Sequence, residues 1–191
     1  MHKIVHAAAF ILILVATGAA HAQERGYVGL TLGPSKAGIA NAAGERVEQN
    51  NDVIAVKGYG GYTLSEHFAI EGGYAGTSKK PSFDKARLNA AADPQAQMSA
   101  LYVALRGKAA ISSSVDLFAK LGVARNHFEL DGAGAQDFDV TAVKPMVGVG
   151  AAWRLTDTVA LTAELEHYGR VRKDNRRLAQ NRAQVGVQFG F

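Results

Sequence analysis

The chain has 191 residues, 48% of them hydrophobic, with 21 glycines, 4 prolines, no cysteine and a formal charge of +4. This composition excludes a disordered chain, a disulfide-stapled fold and a thiolate zinc site, and the length suits one domain rather than two. The charge excess is too small to mark a nucleic-acid binder, so no nucleic-acid partner is expected.

Residues 1–22 read as a signal peptide. Lys3 stands between two histidines, an apolar run follows from Ala7 to Ala16, and Ala20-His21-Ala22 supplies small residues ahead of a cleavage before Gln23. The apolar run is shorter than the roughly 20 residues that a spanning helix needs, and no later stretch approaches that length. Residues 23–191 are therefore expected to form one mature domain, which can enter a membrane only as a barrel.

From Gly26 onward the pattern alternates with period two, the signature of strands. The first expected strand, Gly26 to Gly33, sets Val28, Leu30 and Leu32 on one face. The second, Val53 to Leu64, sets Ile54, Val56 and Tyr62 against Ala55, Lys57 and Tyr59. After a turn at Ser65-Glu66, the third sets Phe68, Ile70 and Tyr74 against Ala69, Glu71 and Gly73. The fourth, near Gln97 to Lys108, opposes Leu101, Val103 and Leu105 to Tyr102 and Arg106, and Ser112 to Ser114 mark the next turn. The fifth opposes Leu117, Leu121 and Val123 to Phe118, Lys120 and Ala124. The sixth ends in Val147, Val149, Ala151 and Trp153, then turns at Thr156-Asp157. The seventh sets Val159, Leu161 and Leu165 against Thr162, Glu164 and Glu166. The last sets Ala183, Val185, Val187, Phe189 and Phe191 against Arg182, Gln184 and Gln188.

Eight strands of this length match a bilayer crossing at a tilt of about 45°. The long connections, roughly Pro34 to Asp52, Thr77 to Ala96, Glu129 to Val140 and Arg170 to Gln180, all fall at one end, and the short turns at the other. The predicted fold class is all-β, an eight-stranded antiparallel up-and-down transmembrane barrel. Which face meets lipid is decided by the polar face, where Glu71, Arg106, Lys120, Glu164 and Arg182 share their strands with many small residues. Inside a narrow barrel, small residues leave room and opposite charges can pair across the lumen. Tyr62, Phe68, Trp153 and Phe191 fall at the short-turn ends of the apolar faces, where an interfacial aromatic girdle belongs.

The terminal segment Ala183-Gln184-Val185-Gly186-Val187-Gln188-Phe189-Gly190-Phe191 looks like the assembly signal of outer-membrane barrels, with Phe189 and Phe191 as its aromatic positions. With Tyr27-Val28-Gly29-Leu30-Thr31-Leu32-Gly33 and Phe118-Ala119-Lys120-Leu121-Gly122-Val123-Ala124-Arg125, the mature chain resembles the transmembrane domain of the OmpA-like and OmpX-like small barrels. That resemblance implies the cell outer membrane as location, the barrel-assembly machinery as a partner during biogenesis, and outer-membrane lipid and lipopolysaccharide as surroundings. It also implies a choice among a non-enzymatic envelope role, an adhesin or serum-resistance factor with a host or surface ligand, and a lipid A-modifying enzyme.

The residues themselves narrow that choice. His167-Tyr168 resembles the His-Ser pair of a lipid A deacylase, but Tyr168 and Gly169 follow His167 and no serine does, so a nucleophile is missing and no enzyme is expected. Arg170, Arg172, Lys173, Arg176 and Arg177 form a basic cluster in the fourth long connection, a candidate contact for lipopolysaccharide phosphates or other polyanions. Asp131, Asp137 and Asp139 with Gly132 and Gly134 fit no calcium-loop spacing, and Gly148-x-Gly150 opens no helix, so no metal or cofactor is implied.

Overall fold

The computed structural model describes residues 25–40, 46–48, 53–78, 95–131, 138–173 and 176–191. Among them are nine strands: β1 (Gly26–Ala40), β2 (Arg46–Glu48), β3 (Val53–Thr63), β4 (Phe68–Thr77), β5 (Gln95–Ala110), β6 (Val115–Asp131), β7 (Phe138–Arg154), β8 (Val159–Lys173) and β9 (Arg176–Gly190). β1 pairs antiparallel with β3, each of β3 to β8 pairs antiparallel with the next in sequence, and β9 returns to pair with β1, closing an eight-stranded ring. The three-residue β2 stands outside the ring as an added strand on the outer part of β1.

Two environments, one on each side of the wall, explain why alternating residues form these strands. On β6, Leu117, Leu121 and Val123 are exposed on the outside, whereas Phe118, Lys120 and Ala124 are buried in the lumen. The outward apolar run from Val115 to Val123 gives way to exposed Arg125. Nine residues at about 3.3 Å each, tilted by about 40°, span roughly 23 Å, close to the roughly 25 Å apolar band of an outer-membrane barrel. Tyr62, Phe68, Trp153 and Phe191 are all exposed and gather at the short-turn rim.

The short turns share one geometry. Leu64 donates its N–H to Phe68 O at 2.8 Å, Ile111 to Val115 O at 2.9 Å and Leu155 to Val159 O at 2.9 Å, with three residues between the partners each time. In the second and third turns a hydroxyl, Ser112 Oγ or Thr156 Oγ1, accepts the N–H of Val115 or Val159, the local bond for which turns select serine and threonine.

The opposite end departs from expectation. Strands continue into segments that read as long connections: β1 runs to Ala40, β6 to Asp131, β7 starts at Phe138, and β8 and β9 reach Lys173 and Arg176. The fourth connection is therefore mostly ladder, because hydrogen-bond pairing, once in register, propagates past the bilayer irrespective of side-chain polarity. Gly132, Gly134 and Asp137 lie outside the described residues, as does the whole signal-peptide segment.

Candidate functional site

The lumen is filled rather than open. Glu71 on β4 is its hub: Tyr27 and Tyr102 donate hydroxyl bonds to the carboxylate at 3.0 and 2.7 Å, Lys120 Nζ lies 2.6 Å away and Arg106 Nη1 3.6 Å. Lys120 also bonds Glu164 at 2.7 Å, and Lys57 bridges Glu164 and Glu166, with 2.8 Å to the latter. Tyr168 donates to Glu166 at 2.6 Å. Arg106 donates to Gln188 at 2.8 Å while its guanidinium stacks 3.9 Å from the centre of the Phe118 ring.

Four of the five expected lumen charges, Glu71, Arg106, Lys120 and Glu164, thus form one network. The fifth, Arg182, is buried beside it, in register with Glu166 on the neighbouring strand and donating to Gly76 O at 3.2 Å. Lys57, Glu166 and four tyrosines complete the cluster. Strand parity already placed Lys57 and Glu166 on the inner face, but bonding across the lumen joins strands far apart in sequence and leaves no local trace. Each carboxylate of the cluster bonds a cation, which ties the lumen together. Burying this many charges requires partners, and Lys57, Arg106, Lys120, Glu71, Glu164 and Glu166 each meet an opposite charge.

Glycine makes room for the aromatic members. The Tyr59 ring lies over Gly29 and the Tyr27 ring over Gly61, where any Cβ would collide with the ring. Gly169 is different: its φ of 76° lies in the left-handed region. It forms a bulge between His167 and Arg170 that shifts the β8–β9 register. Below the bulge His167 faces outward with Nδ1 2.6 Å from Asn181 Oδ1, whereas Tyr168 is wholly buried in the lumen. Histidine and tyrosine therefore lie on opposite sides of the wall.

Above the bulge the basic cluster stands on paired strands instead of a loop. Arg170 is opposite Ala179, Arg172 is directly opposite Arg177, and Lys173 is opposite Arg176. Residues 170–177 hold these five cations and a single carboxylate, Asp174. Like charges facing each other across a ladder are unfavourable unless something neutralises them. On the acidic side, Asp139 approaches His127 at 3.3 Å, and among the described residues no group of His, Asp and Glu able to hold a metal is found.

A closed antiparallel ring with an apolar exterior about one bilayer tall and a paired, charged interior is a transmembrane β-barrel. The chain belongs to the outer-membrane protein β-barrel domain family, whose model matches residues 7–191, and its place is the outer membrane. No protein of curated function matches the sequence. Solved structures agree on the fold. Neisserial surface protein A is 18% identical with a TM-score of 0.59, covering 87% of this chain and 97% of that one. The N-terminal β-barrel domain of Pseudomonas aeruginosa OprF is 15% identical with a TM-score of 0.54, covering 88% and 100%. The attachment invasion locus protein Ail of Yersinia pestis, in complex with the heparin analogue sucrose octasulfate, is 13% identical with a TM-score of 0.53, covering 86% and 99%.

Proposed function

We propose that the protein is a non-enzymatic envelope barrel whose β8–β9 ribbon binds the phosphates of lipopolysaccharide at the outer surface. The observation that carries this reading is the register of the ribbon, which sets Arg172 against Arg177 and Lys173 against Arg176 just beyond the apolar band. Such a ribbon is relieved by a polyanion, and phosphates accept charge-assisted bonds from arginine on both strands. Contacts of this kind would tie neighbouring lipopolysaccharide molecules to a rigid post and strengthen the outer leaflet.

The separation of His167 from Tyr168 by the wall supports a binding role over lipid A deacylation. Export by cleavage before Gln23, and recognition of outward-facing Phe189 and Phe191 by the assembly machinery, belong to the same reading. A second reading, a surface-binding protein of the adhesin or serum-resistance type, is favoured by the Ail complex with a heparin analogue, since a sulfated sugar offers the same anionic chemistry.

Both readings are tested by replacing Arg170, Arg172, Lys173, Arg176 and Arg177 with glutamine in the full chain. Binding to immobilised lipopolysaccharide and to heparin is then measured over a range of salt. We expect at least a tenfold loss of low-salt affinity and a flattened salt dependence. Unchanged binding to both ligands refutes the proposal, and loss of heparin binding alone favours the second reading.

A further inference from the structure

The lumen continues past the ionic cluster. Towards the short turns it widens into a cavity of about 210 Å³, to which all eight strands of the ring contribute. Arg106 and Gln188 line its inner end, and Lys108, Asp116, Arg154 and Asp157 lie nearer the rim. The rim residues Arg154 to Thr158 are exposed, so the cavity is reached from water. Its volume falls below the roughly 300 to 1,000 Å³ of sites for drug-sized ligands, so an occupant must be small.

Arg106 is less well matched than the lumen lysines. Lys57 and Lys120 each contact at least two carboxylates. The carboxylate that Arg106 meets, Glu71, lies 3.6 Å from Nη1, is closer to Lys120 at 2.6 Å, and also accepts two tyrosine hydroxyls. Nη1 donates to Gln188, whereas the buried Nε has no hydrogen-bond partner. The Phe118 and Tyr27 rings, centred 3.9 and 5.3 Å from the guanidinium carbon, fix its plane. Lys108, half-buried on the same face of β5 and about 7 Å further along the strand, has no ion pair or side-chain hydrogen bond among the described residues. Arg154, by contrast, is engaged: it donates to Ser113 O at 2.9 Å and lies 3.7 Å from Asp116.

Two under-matched cations therefore line one enclosed space. A carboxylate suits them, because it is planar, accepts charge-assisted bonds from a guanidinium and has a second oxygen for the lysine. Asp116 and Asp157 hold the positive surplus of the cavity to one, which favours a monoanion over a phosphate monoester carrying about 1.5 to 2 negative charges. Ala69, Ala152 and Ala160 give the same cavity a buried apolar wall, against which a short alkyl chain is removed from water.

We propose that the short-turn mouth of the barrel binds a small aliphatic monocarboxylate, with its carboxylate between Arg106 and Lys108 and its alkyl chain against the alanines. The bound anion completes the charge matching left open at Arg106, and because it binds only the closed ring it raises resistance to unfolding. The site lies at the opposite end of the barrel from the β8–β9 ribbon and does not depend on it.

The test uses the full chain in a non-ionic detergent, so that no charged headgroup competes. It is titrated with butyrate, inorganic phosphate and butylammonium at constant ionic strength, followed by NMR of the arginine side-chain N–H groups and the alanine methyls. Lys108→Met removes the unpaired cation. Arg106→Lys keeps a charge for Glu71 and removes the planar guanidinium. Lys144→Met, in the outer part of β7, serves as control, and heat-dependent gel mobility checks that each barrel is folded.

We expect butyrate to shift the Arg106, Ala69 and Ala160 resonances saturably and to raise the urea midpoint. Affinity should fall at least tenfold in Lys108→Met and Arg106→Lys and stay unchanged in Lys144→Met. If Arg106→Lys does not fold, Lys108→Met decides alone. Absence of a saturable shift in the wild type, or undiminished affinity in Lys108→Met, overturns the site. Phosphate bound as tightly as butyrate overturns the choice of a monocarboxylate, and an equal response to butylammonium overturns the role of the two cations.

Discussion

The lumen cluster and the β8–β9 ribbon are built from the same residue types yet are opposites in charge logic. In the lumen, Lys57, Arg106 and Lys120 each meet a carboxylate. In the ribbon, cations sit opposite cations in register. Arginine and lysine that are fully matched hold a structure together and offer little to a ligand. Those set opposite one another along a ladder would, on the function proposed above, be left to recruit anions. Compensation, rather than composition, separates the matched lumen charges from those proposed to bind.

The comparison can be broken most forcefully at its hub. Glu71→Gln would take from Arg106 the carboxylate it meets in the lumen and leave Lys120 with Glu164 and Glu166. The expected loss is about 3 to 5 kcal/mol, the usual consequence of removing one member of a buried ionic network, read as a lower urea midpoint in lipid vesicles. A charge on the opposite side of the wall should cost slightly less. Leu121→Arg, at an exposed position near mid-membrane, should destabilise by about 2 to 4 kcal/mol, and unchanged denaturant resistance would contradict the assigned facing.

Tyr168→Phe removes one hydroxyl bond to a buried carboxylate and should cost about 1.5 to 3 kcal/mol in the same urea assay. The ribbon should respond in the reverse sense. Arg177→Glu converts the Arg172 pair into an attractive one, so unfolding should become harder by about 0.2 to 1 kcal/mol while lipopolysaccharide affinity falls. A variant that lost both stability and affinity would show that the ribbon is internally compensated after all.

Much of the barrel was legible because alternation is a local property. Leu117, Leu121 and Val123 against Phe118, Lys120 and Ala124 define the two faces of β6 without reference to any other strand. The extent of the strands was not legible. Arg172, Lys173, Asp174 and Asn175 carry turn chemistry, yet Arg172 and Lys173 lie on a ladder whose continuation depends on β9 being in register beside it. The lumen cluster falls between these cases. Parity places Lys57 and Glu166 inside, but that Lys57 reaches β8 across the lumen, and that Tyr27 and Tyr102 converge on Glu71, depends on barrel width and strand stagger, which no single segment encodes.

Closure itself sets a timetable. The pairing of β1 with β9 joins the two strands farthest apart in sequence, with Tyr27 opposite Gly190 and Gly26 exchanging backbone bonds with Phe191. Contacts of such high sequence separation form slowly, because the entropy of bringing distant segments together is lost before any ladder compensates it. Until that seam zips, β1 and β9 each present an unpaired edge, and hydrocarbon tolerates no such edge. The unsealed chain is therefore kept out of the lipid by its own backbone, and insertion and ring completion become one concerted event.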